Sequence, residues 1–114
     1  MGELREINLE AGMPLVADAL RRLTFEVHHS KALGYAALKL IHGYGSSGKG
    51  GKIRVAARDR LEFLMQKREI RGYICGEDFS IFDGDTRQAF LRCDTLRKDR
   101  DLERHNNGVT FVIL

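Results

Sequence analysis

No stretch of the 114 residues approaches the roughly 20 consecutive apolar residues of a membrane span. No membrane partner is therefore expected. The N-terminus, Met1-Gly-Glu-Leu-Arg-Glu6, lacks the basic start and apolar run of a signal peptide. Glu6 stands where a myristoylation motif carries Ser or Thr. These absences make a cytoplasmic setting the expectation. Cysteine is scarce, with two residues, Cys75 and Cys93, so a disulfide scaffold is excluded and free thiols are expected. Neither Cys-x-x-Cys nor His-x-x-x-His spacing occurs, which argues against structural zinc, and no metal-ligand set is assigned. The chain has no internal repeat. Neither sign of charge dominates: 19 Lys and Arg against 16 Asp and Glu leave a formal charge of +3. That excess permits a nucleic-acid partner without requiring one, so the position of the positive charge matters more than its amount.

What is present reads as one domain over residues 1–114, with 43% hydrophobic and 31% charged residues, as in a soluble globular fold. Arg5–Leu9 alternates like a short strand. Gly12-Met-Pro14 breaks it, with Pro14 suited to a first helical turn. Val16, Ala19, Leu20, Leu23 and Val27 then recur at helical spacing. Tyr35–Ile41 is nearly continuous and apolar, as in a strand buried on both faces. A second helix is expected from about Lys52, with Ile53, Ala56, Ala57, Leu61 and Leu64 on its buried stripe. Ile70–Cys75 and Val109–Leu114 read as further strands, the last after the turn Asn106-Asn107-Gly108. The segment 77–107 is an insertion. Glu77–Phe82 reads as a strand extension or hairpin arm, and Arg87–Cys93 as a short helix capped by Asp85 or Thr86. Seven of the eight residues Arg97–Arg104 are charged, which reads as a solvated helix or mobile arm. The expected fold is α/β: two main helices over a four-stranded mixed sheet, in the order β-α-β-α-β-β, with an antiparallel last strand.

The chemistry concentrates at the run Ile41-His42-Gly43-Tyr44-Gly45-Ser46-Ser47-Gly48-Lys49-Gly50-Gly51-Lys52-Ile53-Arg54. A strand ends at a histidine, and a glycine-rich basic loop leads into a helix. Backbone N–H groups, a helix N-terminus and lysines thus converge on one point, which favours phosphate. Gly43-x-Gly45-x-x-Gly48 matches the dinucleotide fingerprint in form only, because Lys49-Gly50-Gly51 delays the helix and the chain is too short for two mononucleotide halves. The phosphate-loop pattern of nucleotide hydrolases fails because Gly50, not Ser or Thr, follows Lys49. Lys49, Lys52 and Arg54 are candidate phosphate contacts, whereas Arg58 and Arg60 read as solvated surface. Tyr44 could stack on a base.

These residues resemble the small MutS-related (Smr) domain family. The resemblance rests on Ile41-His-Gly-Tyr-Gly45, the further glycines and Ile53-Arg54 opening a helix, together with the closing Gly108-Val-Thr-Phe-Val-Ile-Leu114. It implies a fold similar to the C-terminal domain of initiation factor three, nucleic-acid binding to DNA or RNA, and in some members endonuclease activity. His42 and Glu10 are the candidate catalytic residues. Gly43, Tyr44, Gly45, Ser46, Ser47, Lys49, Gly50, Gly51, Lys52 and Arg54 are the candidate nucleic-acid contacts. A divalent metal is implied only if the site cleaves. The chain departs from the family at its first strand, where Leu-Asp-Leu-His-Gly is replaced by Ile7-Asn-Leu-Glu-Ala11. A non-catalytic adaptor, or a protein-interaction domain using the charged 97–104 segment, is the alternative.

Among the remaining residues, His28 and His29 read as helix-end surface groups suited to the dipole. His105 reads as exposed beside a turn. Asp83 and Asp85 read as helix caps, because a calcium loop would need more oxygen ligands. Phe25 and Phe63 read as core or near-core.

Overall fold

The structure is a computed structural model that describes residues 2–44 and 50–114. Its elements are β1 (Leu4–Asn8), α1 (Val16–Ala32), β2 (Ala37–Ile41), α2 (Gly50–Gln66), β3 (Gly72–Cys75), α3 (Gly84–Arg92) and β4 (Val109–Ile113). The four strands form one mixed sheet in the order β1-β2-β4-β3. β1 and β2 are parallel, with Leu4 opposite Ala37 and Asn8 opposite Ile41. β4 is inserted antiparallel between β2 and β3, with Ile41 opposite Val109 and Cys75 opposite Thr110. The C-terminal ends of β1, β2 and β3 and the start of β4 therefore share one edge of the molecule.

The strand periodicity divides the core. Leu38, Leu40 and Val112 face α1 and α2, where Leu23, Val27, Ile53, Ala57, Leu61 and Leu64 close over them. Ala37, Phe111 and Ile113 face the opposite way and meet Phe79, Ala89, Phe90, Cys93 and Leu96 of the insertion. All five residues of β4 are buried, which explains why it is apolar at every position but Thr110. Phe111 alone, fully buried and 4.0 Å from the Phe79 ring centroid, contributes on the order of 1.5–3 kcal/mol by leaving water. The two main helices thus cover one face, as expected, and the insertion adds a layer on the other.

Several local expectations are corrected. α1 begins at Val16, because Leu15 is extended at ψ 152°, so Pro14 lies in the approach to the helix and not in its first turn. α2 begins at Gly50, two residues before Lys52. Glu77–Phe82 neither extends β3 nor forms a hairpin; a single 3-10 turn, Gly76–Asp78, ends the strand. The cap of α3 is Asp83, whose carboxylate accepts from the Thr86 N–H at 2.9 Å and hydroxyl at 2.8 Å. Phe25 and Phe63 are not core: they are 62% and 53% exposed. Phe25 stacks on His29, and Lys67 lies over the Phe63 ring.

The largest correction concerns Arg97–Arg104, which is neither a mobile arm nor a solvated helix. Leu96 is fully buried, and a 3-10 turn, Asp94–Lys98, leads in. Asp99 and Asp101 turn inward onto the Lys39 ammonium at 2.9 and 2.6 Å. The Glu103 N–H donates to the Phe79 carbonyl at 3.0 Å, and its carboxylate accepts from the Ser80 hydroxyl at 2.8 Å. Asp99 and Asp101 are docking groups, because β2 offers a buried cation for them to reach, while Arg97, Lys98, Arg100 and Arg104 stay exposed.

Candidate nucleic-acid interface

β1 and β2 end side by side, and each delivers one candidate residue to the shared edge. Beyond β1, the Glu10 carboxylate lies against the Cα of Gly43, in the space a side chain at position 43 would fill. Gly43 has φ 73°, a left-handed conformation that glycine adopts without strain. Conformation is what favours glycine at 43; the exposed Glu10 carboxylate, at the end of a flexible side chain, would only have to swing aside. Glu10 itself is exposed.

Beyond β2, the chain is pinned by one carbonyl: Gly108 O accepts from the N–H groups of both His42 and Gly43 at 3.0 Å. A side chain at Gly108 would meet the Tyr44 ring at 3.0 Å and the Asn106 side chain at 3.1 Å, so glycine is needed there for close approach. Tyr44 remains 58% exposed, as expected from the sequence.

His42 is fully buried. Its Nδ1 lies 2.8 Å from the Gly43 carbonyl oxygen and its Nε2 lies 2.8 Å from Thr110 Oγ1. Arg58 Nε donates to the same Thr110 oxygen at 3.0 Å. The polarity of this chain follows from its two ends. A carbonyl only accepts, so Nδ1 carries the proton; a guanidinium only donates, so Thr110 receives from Arg58 and passes its own proton toward Nε2. The imidazole is neutral in this arrangement. Burial pushes its pKa down, the Gly43 bond opposes that, and the Arg58 and Arg54 charges lower it further, to about 4.

Arg58 was read from sequence as solvated surface, and that reading is corrected. Its guanidinium makes a two-pronged contact with Glu77, at 2.8 and 2.9 Å, and also reaches the Val109 carbonyl at 3.3 Å. Burial raises the Glu77 pKa, but the Arg58 bond, a backbone hydrogen bond and the Arg58 and Arg54 charges together outweigh this and hold the carboxyl below its ordinary value. Arg58, Thr110 and Glu77 are the members of the cluster that sequence reasoning missed. Two signals pointed to them. Arg58 follows Arg54 by one helical turn, and Thr110 is the one polar residue inside an otherwise apolar strand.

The outward charge comes from the first turns of α2. Lys52 is exposed and Arg54 half-exposed. α1 and α3 each carry an aspartate in the first turn, Asp18 and Asp85, whereas α2 carries no acidic residue there. Arg60, by contrast, bonds Thr24 on α1 at 2.9 Å and belongs to helix packing. Gly51 is half-buried at the start of the helix. Gly45, Ser46, Ser47 and Lys49 fall outside the described residues. No group of three or more His, Cys, Asp or Glu among the described residues is arranged to hold a metal ion. No helix of the described residues is long and apolar enough to cross a membrane.

Among solved structures, the Smr domain of Thermus thermophilus MutS2 matches this chain with a TM-score of 0.58 and 24% identity, over 96% of each chain. No family model and no curated protein matches the sequence. The chain has the fold of an Smr domain.

Proposed function

We propose that this chain is an Smr-type nucleic-acid-binding domain that contacts phosphates through the His42–Arg54 segment. The observation that carries the reading is the N-terminal end of α2, which bears Lys52 and Arg54 and no acid in its first turn. Cations there oppose the helix dipole and cost on the order of a few tenths of a kcal/mol each, a cost that an incoming phosphate reverses. Tyr44, exposed beside Gly43, supplies a ring for stacking on a base or sugar. Glycine N–H groups of the loop, with Lys49, complete the cradle in this reading.

Within this function His42 organises the loop. Both ring nitrogens are engaged, and the neutral ring links β4 and α2 to the Gly43 carbonyl. A second reading, phosphodiester hydrolysis, is favoured by one observation: the Glu10 carboxylate is exposed and lies against Gly43, at the start of the proposed phosphate-binding segment. Glu10 would then act as base, and His42 would hold the loop.

Purified protein incubated with labelled branched DNA, plasmid and structured RNA, with and without divalent metal, tests both readings. Complex formation without product is the result for a binder. Product that disappears in Glu10→Gln, with binding retained, is the result for a nuclease. No complex with any substrate at about 50 mM salt overturns the proposal.

A further inference from the structure

The two edges of the sheet are built differently. β1, at one edge, carries Arg5 and Glu6, charges of the kind that blunt an open strand. β3, at the other edge, reads Gly72-Tyr-Ile-Cys75, with no charge and no proline, and it pairs only with β4. The unpaired side of β3 opens into a groove of about 920 Å³, walled by Met65 of α2 and Leu91 of α3. The Thr86 hydroxyl accepts from the Ser80 N–H at 3.3 Å, which ties the start of α3 to the turn that follows β3. α3 therefore starts beside the C-terminal end of the strand and its last residue, Arg92, lies farthest from that turn.

The charges at the two ends of this groove are opposite. Of the six charged residues that line it, Glu62 accepts from the Tyr73 hydroxyl and Asp83 caps α3; of the other four, Asp78 and Asp85 line the end beyond Cys75, while Arg71 directly precedes Gly72, and Arg92 closes α3. All four side chains are exposed. Among the described residues, none of them takes part in an ion pair. An extended chain laid along β3 would find backbone partners in the middle, walls of mixed polarity beside them, with Met65 and Glu62 on α2 and Leu91 and Gln88 on α3, and a charge at each end. Antiparallel pairing is the slightly more stable geometry. It would place the N-terminal end of the added chain at the aspartates and its C-terminal end at the arginines.

We propose that the β3 edge is a docking site for an extended peptide segment of a partner protein, added as a fifth, antiparallel strand. The segment is basic toward its N-terminal end and acidic toward its C-terminal end. This is strand addition, in which main-chain hydrogen bonds give affinity and flanking groups give direction. The surface is separate from the α2 N-terminal cluster, so peptide and nucleic acid are not competitors for it.

The test is a titration of isotope-labelled protein, followed through backbone amide shifts and hydrogen exchange. Three synthetic peptides serve as probes: Lys-Lys-Val-Thr-Val-Glu-Glu, its charge-reversed counterpart, and the first peptide N-methylated at alternate residues. The proposal expects the first peptide to shift and protect the amides of Gly72–Cys75. The reversed peptide should bind about tenfold more weakly and the N-methylated one not detectably. The double variant Arg71→Glu/Arg92→Glu should narrow or invert the charge preference. Three outcomes overturn the proposal: no binding at about millimolar peptide, binding indifferent to N-methylation, and β3 shifts that follow protein concentration without peptide, which assign the edge to a second copy of the chain.

Discussion

Lys39 and His42 lie three residues apart at the end of β2, and both are out of solvent, with 2% and 0% exposure. One is held charged and the other neutral. Lys39 points toward the insertion. Burial alone would lower its pKa, but the bonds from Asp101 and Asp99 outweigh that and raise it above the ordinary value. His42 points toward α2, where burial lowers its pKa and the like-signed Arg58 and Arg54 add to that effect against the Gly43 bond and the Glu77 charge, so the value falls to about 4. Burial is common to both sites; the sign of the neighbouring charge decides the outcome. A buried cation on the strand recruits the acidic segment that covers it. A buried imidazole between arginines becomes a neutral hydrogen-bond link.

Removing the cation should have the larger effect. Lys39→Met leaves Asp99 and Asp101 facing a low-dielectric interior without a cation, and about 3–5 kcal/mol of stability should be lost. Lys39→Met combined with Asp99→Asn and Asp101→Asn should recover most of it, as read by urea unfolding. Hydrogen exchange at Glu103, whose N–H bonds Phe79, should rise sharply in the single variant. The same pairing has a pH signature. The Asp101 carboxyl is held below its ordinary 3.8, so its contribution is present above that value and lost as pH falls through the folded pKa. Lys39 is the mirror case: its contribution is present below 10.5 and lost as pH rises through the folded value.

The imidazole should give a smaller effect in a different window. The unfolded chain binds a proton at His42 near pH 6.5, while the folded one resists until about 4. Stability is therefore greatest above 6.5 and falls as the medium acidifies, by about 2 kcal/mol between about pH 7 and about pH 5. His42→Asn should flatten that part of the curve. An unchanged slope would mean that the ring is not held neutral and would remove the basis for its organising role.

The contrast also explains what could be read from the sequence. The face covered by α1 and α2 was legible because its helices repeat apolar residues every three or four positions, and Leu23, Val27, Ile53, Ala57, Leu61 and Leu64 lie where that period places them. The face covered by the insertion was not. Periodicity assigns every charge to solvent, and Asp99 and Asp101 break that rule only because Lys39 faces them across 60 residues of chain. The site divided in the same way. His42, Gly43 and Tyr44 were visible as a contiguous motif, and Glu10 as its neighbour on the adjoining strand. Arg58, Thr110 and Glu77 come from three other segments, and only the register of β4 against β2 and β3 brings them together. Phe25 and Phe63 misled because helical spacing marks a stripe but not its edge, and both fall beyond it.

The central claim, phosphate contact at the start of α2, is tested most directly by the salt dependence of nucleic-acid affinity. Binding of a labelled oligonucleotide, measured by fluorescence anisotropy over a range of salt, should give a slope of log K against log salt of roughly −2 to −3, as expected for about three phosphate contacts. Replacing Lys49, Lys52 and Arg54 together by Ala should bring that slope close to zero while the protein remains folded. A slope unchanged by the triple replacement, or affinity independent of salt in the unaltered protein, would contradict the account.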